Sequence, residues 1–198
     1  MEQTYFTEKV SKINLLTVNE LLIVYQSFDD DMFPTKRRSM ERVVCCRCDL
    51  DTYNLSGREH SGLNDCLDFI TNLGVIMLGI NVFGSISYWV KHDISLTILK
   101  SSEVLRSINT CLYSTKGQEI YPVLFDKPLC VKEDTRYTIQ LNMKGQISFT
   151  GKLYRATILS KKLSVTFSNS SFSSTNSISV NMGQISGIII QHIYIYKK

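Results

Sequence analysis

Over residues 65–198 apolar and polar positions alternate with period two. Ile94, Leu96 and Ile98 alternate with Ser95 and Thr97, and Tyr137, Ile139, Leu141 and Met143 with Thr138, Gln140 and Asn142. Leu163, Val165 and Phe167 alternate with Ser164 and Thr166, and Ile178, Val180 and Met182 continue the pattern around Ser179 and Asn181. Such alternation turns one row of side chains to a core and the other to water. Gly, Asn, Asp and Ser separate these runs, and no helical period interrupts them, so the expectation is an antiparallel sandwich. The run Gly187 to Tyr196 is apolar enough for a central strand, and Ser168–Ser177 reads as an exposed loop.

The first quarter of the chain follows another rule. Ile13, Leu15, Leu16, Leu21, Leu22, Val24, Tyr25 and Phe28 stand near helical spacing, and Thr17-Val-Asn-Glu20 has the capping-box form. Asp29 to Asp31 and Pro34 stop that helix, because proline disfavours helical geometry in the residue before it. A helix of about three turns is marginal alone and needs a docking surface. Residues 29–44 read as a polar linker. The basic cluster Lys36, Arg37, Arg38, Arg42 and Arg47 reads as solvated rather than as a nucleic-acid contact.

Composition narrows the classes. With 198 residues, 43% hydrophobic and 20% charged, the chain can build a core. A net charge of +4 without a basic–aromatic stripe argues against nucleic acid as the partner. The longest apolar runs, Val75–Ile80 and Gly187–Ile190, are far short of the ~18 residues that cross a bilayer, so no membrane partner is expected. Residues 1–12 carry charges and no apolar block, unlike a secretory signal. A cytoplasmic location and six reduced cysteines, Cys45, Cys46, Cys48, Cys66, Cys111 and Cys130, are the expectation.

Candidate chemistry is thin. Cys45-Cys46-x-Cys48 with His60 lacks the second ligand pair of a zinc site, so no metal or other cofactor is expected. No Gly-x-Ser-x-Gly elbow accompanies the abundant serines, and His92, in Lys-His-Asp, reads as a solvated loop residue. Gly79 and Gly84 precede a strand-like run rather than a helix, which favours a tight turn or bulge over a phosphate loop. Trp89, the one tryptophan, is expected in the core beside Tyr88. Lys144-Gly145 reads as a hairpin-like turn.

Several segments carry a family resemblance. Ile76-Met-Leu-Gly79-Ile-Asn-Val-Phe-Gly84-Ser85, Val123-Leu-Phe125-Asp-Lys-Pro128, Asp134-Thr-Arg-Tyr137-Thr138 with Lys144-Gly145, Val165-Thr-Phe167 and Gly183-Gln184-Ile185 occur in order. Upstream stand Ser61-Gly62, Asp65 and Phe69. Together, over residues 45 to 193, they resemble the PHR domain. Leu15-Leu-Thr17-x-x-Glu20 and the cysteines after it resemble the junction between the BACK helices and the PHR domain in BTB–BACK–PHR proteins. Arg58, Glu59 and His60 depart from the family's Trp-Gly-Tyr turn, so no role of those aromatics carries over.

The resemblance implies a two-sheet β-sandwich with no enzymatic activity known for it. In that family the domain accompanies BTB domains in substrate adaptors of cullin-RING ubiquitin ligases. The expectation is therefore a BACK-like helical lead-in and linker over 1–44 and a jelly-roll-like sandwich over 45–198, working as a non-catalytic binder of a protein partner or ubiquitination substrate. Cullin contact is expected only where a BTB domain is supplied elsewhere. A lectin-like or small-ligand-binding sandwich is the alternative. The binding residues are expected at three glycine turns: Phe83, Gly84 and Ser85; Lys144 and Gly145; Gly183 and Gln184.

Overall fold

The computed structural model describes residues 38–51, 58–116, 118–172 and 179–195. The helix expected at 13–28 lies outside them. Residues 40–193 form one compact unit, and the description below concerns it.

Twelve strands make up the described part: β1 (Arg38–Cys46), β2 (Asp49–Asp51), β3 (Arg58–Thr71), β4 (Val75–Phe83), β5 (Lys91–Lys100), β6 (Glu103–Tyr113), β7 (Ile120–Val131), β8 (Tyr137–Ser148), β9 (Thr150–Lys152), β10 (Thr157–Ser160), β11 (Leu163–Asn169) and β12 (Ile185–Ile195). A four-stranded sheet, β1-β12-β4-β7, packs on a six-stranded one, β10-β11-β3-β8-β5-β6, while β2 and β9 form a small ribbon. The registered strand pairs are antiparallel, and the described residues contain no helix.

The alternation in the sequence accounts for the core. Leu96 and Ile98 of β5, Ile139 and Leu141 of β8, and Leu67 and Phe69 of β3 are buried together with Met77 and Ile80 of β4 and Ile185 and Ile188 of β12. Phe69 stacks on Tyr137, its register partner, with ring centroids 5.7 Å apart. Each such side chain contributes about 1.5–3 kcal/mol on leaving water. The apolar strand at the C-terminal end does lie inside its sheet, between β1 and β4.

Three expectations about elements fail. Strand β1 begins at Arg38, inside the stretch read as linker. An edge strand tolerates polar side chains because its backbone bonds to one neighbour whatever those side chains are. Residues 179–182 close a turn through reciprocal Ser179–Met182 backbone bonds instead of extending a strand. Lys144 and Gly145 lie within β8, not at a hairpin.

A candidate protein-interaction surface

Two of the three glycine segments, 83–85 and 183–184, meet each other, as a buried seam, while Lys144 and Gly145 lie against β5. The Phe83 amide donates to Gln184 O at 3.3 Å, the Gly84 amide to Glu119 O at 2.8 Å, and the Phe149 amide to Gly84 O at 2.9 Å. Ser85 bonds within the fold: its amide donates to Ser114 Oγ at 2.7 Å and its hydroxyl to Ile147 O at 3.0 Å. Gln184 donates from Nε2 to Phe149 O at 3.4 Å. Phe83, Gly84, Ser85, Gly183 and Gln184 are all buried. Their chemistry ties β4, β8 and the start of β12 together.

Gly84 is required by space. A Cβ there would stand 2.3 Å from the Tyr121 ring, which anchors the 114–119 loop through Tyr121 OH and the Thr115 amide at 2.6 Å. Gly145 answers a similar demand, since a Cβ would meet the His92 ring at 2.5 Å. His92 corrects the solvated-loop reading: it is a fully buried residue of β5, with Nε2 2.8 Å from Gln146 O. Burial holds its pKa below the usual imidazole value, against the opposing influence of that carbonyl and of Asp93.

What this seam supports is exposed. Residues 85–90 run from β4 to β5, held by Ile86 N to Ile147 O at 3.3 Å, Trp89 N to Ser114 O at 2.7 Å and Ser114 N to Val90 O at 2.9 Å. On that fixed backbone Trp89 is 80% exposed and Tyr88 is 51% exposed, which overturns the expectation of a core tryptophan. Trp89 also has φ of 63°, a left-handed conformation that costs a side-chain-bearing residue energy. The sequence carried a signal: Tyr88-Trp89-Val90 places three apolar residues in succession, which a period-two strand cannot all bury.

Charges and another ring continue the surface. Lys91 is the register partner of Tyr113, 57% exposed, and Asp93 that of Lys144. Lys91 Nζ and Asp93 Oδ1 are 2.7 Å apart. Their hydrogen bond raises the lysine pKa and lowers the aspartate pKa, with Lys144 adding to the latter. Of the seven residues expected to bind, Lys144 and Gly145 alone reach solvent substantially. The patch is therefore Tyr88, Trp89, Lys91, Asp93, Tyr113 and Lys144, with the other expected residues beneath or beside it.

A second cluster surrounds Arg47, which is fully buried rather than solvated. Its Nε donates to Ile185 O at 2.7 Å, and its terminal nitrogens donate to Val180 O at 3.0 Å, Met182 O at 2.9 Å and Ser179 O at 3.4 Å. The guanidinium lies 4.7 Å from the Tyr154 ring centre and 5.9 Å from that of Phe167. Burial pushes the neighbouring Cys45 and Cys48 thiols up to about 11, so they stay protonated near neutrality. Among the described residues no group of three His, Cys, Asp or Glu side chains is placed to hold a metal.

A two-sheet sandwich with a braced aromatic loop belongs to the class of folds that present loops on a rigid scaffold. The model of the PHR domain matches residues 52–191, and the chain belongs to that family. It is 28% identical over 159 residues to human BTB/POZ domain-containing protein 6, covering 79% of this chain and 29% of that protein. It is 22% identical over 191 residues to zebrafish BTB/POZ domain-containing protein 6-A and 23% identical over 191 residues to mouse BTB/POZ domain-containing protein 3. Those matches cover 93% of this chain and 35% and 36% of the relatives, so the chain spans about a third of their length.

Proposed function

We propose that this PHR domain is a non-catalytic protein-recognition module whose partner seats on Tyr88, Trp89, Tyr113 and Lys144. The observation that carries the reading is Trp89, 80% exposed on a backbone hydrogen-bonded at its own amide. Large aromatics left in water on a rigid support are natural binding anchors, because their area is buried on binding with little loss of side-chain freedom. Lys91, Asp93 and Lys144 supply a polar rim that sets orientation. In a longer protein with a BTB domain, the module is the part of a cytoplasmic cullin-RING adaptor that holds the ubiquitination substrate. The resemblance to adaptor proteins supports that last step, and the BTB/POZ names of the relatives accord with it.

Proximity labelling with the chain and with Trp89→Ala and Lys144→Glu tests the seat. Both variants should lose a common set of labelled proteins while melting within a degree or two of the parent. Labelling unchanged in both variants would remove the surface from consideration. To test the adaptor role, the chain is fused behind a BTB domain: ubiquitination of the common set should require both that domain and Trp89.

A further inference from the structure

Strand β6 ends the six-stranded sheet: β5 is hydrogen-bonded on one side, and among the described residues no strand pairs with the other, although β7 of the four-stranded sheet lies near it, with Arg106 bonded to Pro128 O at 3.4 Å. An edge strand leaves alternate N–H and C=O groups outside the ladder, and folded proteins usually blunt it. The remaining edges are blunted. Pro122 and Pro128 interrupt the donors of β7, β10 is four residues long, and β1 presents the exposed Arg42. β6 has eleven residues, no proline, and Glu103 and Arg106 as its charges. Its one irregularity lies between Val104 and Arg106, so the ladder with β5 is regular from Arg106 to Tyr113.

We infer that β6 is the seam of a homodimer, pairing antiparallel with β6 of a second copy about a twofold axis at Asn109. A twofold seam must be self-complementary, and this one is. The axis sets Asn109 against Asn109, Ile108 against Thr110, Ser107 against Cys111 and Arg106 against Leu112, so no like charges meet. It also carries Glu103 of each copy toward the Lys116 end of the other, opposite charges at both ends of the seam. Residues related in this way have the same parity, so the inner faces of the two sheets stay inner. A cleft of about 260 Å³, lined by Thr110–Tyr113 of β6 and Tyr121–Leu124 of β7, runs beside the seam, and an added strand would roof it. That cleft is smaller than the roughly 300–1,000 Å³ of small-molecule sites, which suits side chains of a docking strand better than a free ligand. One strand pair buries less than a standard interface, so the dimer is concentration-dependent.

Sedimentation of the whole chain from micromolar to millimolar concentration is the test, with Asn109→Lys and Asn109→Glu as probes. Asn109 is exposed, so neither substitution should shift the melting temperature. The parent should dimerise at the upper end of the range. Each variant alone should stay monomeric, because like charges meet on the axis. An equimolar mixture of the two should regain the dimer. A parent that remains monomeric would overturn the inference and leave the edge to a strand from another protein. A dimer indifferent to Asn109→Lys, or a mixture that stays monomeric, would overturn it equally.

Discussion

Arg47 and Trp89 each break the ordinary rule of protein interiors, in opposite directions. One is a full positive charge with no exposed surface, and the other is the largest apolar side chain with most of its surface in water. The difference between them is what each side chain touches. Arg47 donates to four backbone carbonyls of the 179–185 segment and lies over two aromatic rings, so its desolvation is offset within the fold. Trp89 is held by its backbone amide to Ser114 O, and 80% of the residue stays in water. The first residue serves stability and the second is free to serve recognition.

The comparison is broken most severely at Arg47. Arg47→Met should cost about 3 kcal/mol in urea unfolding, because Ile185 O would stay buried without its donor and the part-buried carbonyls of Ser179, Val180 and Met182 would lose theirs as well. If the loss were under about 1 kcal/mol, water would be reaching that cluster and the contrast with Trp89 would fail. Gly84→Val comes next, at about 1–3 kcal/mol, since the new side chain must displace Tyr121. The steric cause is distinctive: Tyr121→Ala in the same chain should relieve much of the added cost of the valine.

His92 sharpens the comparison through pH. Its pKa is lowered in the folded state, so the unfolded chain binds the proton more readily. Stability is then fully present above the ordinary imidazole value of about 6.5 and declines as pH falls through it toward the folded value. His92→Gln should flatten that part of the stability curve, and a curve equally steep in the variant would place the proton elsewhere. The smallest effect belongs to Trp89. Trp89→Gly should leave unfolding free energy within about 1 kcal/mol of the parent, with relief of the left-handed backbone opposing the extra freedom of glycine. Partner labelling should nevertheless collapse, and a loss above about 2 kcal/mol would make the ring structural after all.

How far the fold was legible follows from the same contrast. Alternation in β5, β8 and β11 gave the core rows directly, because a strand with one wet face must repeat every two residues. The closing run of β12 was readable as an inner strand because its polar positions are few. β1 escaped because its polar side chains mask backbone pairing. The candidate site was half legible. Glycines marked close approaches, of the Tyr121 ring at Gly84 and the His92 ring at Gly145, but close approach inside the fold and close approach to a partner leave the same mark in a sequence.

The sequence by itself determined the class of fold, the family and the rows that fill the core, because periodicity and ordered motifs are local properties. Only the tertiary structure decided that Arg47 goes in, that Trp89 stays out, and that His92 and Lys144 fall on opposite faces of neighbouring strands. Those outcomes depend on partners 25 to 138 residues away along the chain, such as Ser114 for Trp89 and Ile185 for Arg47. A buried charge is tolerable where the fold assembles acceptors around it, and no local pattern announces that assembly.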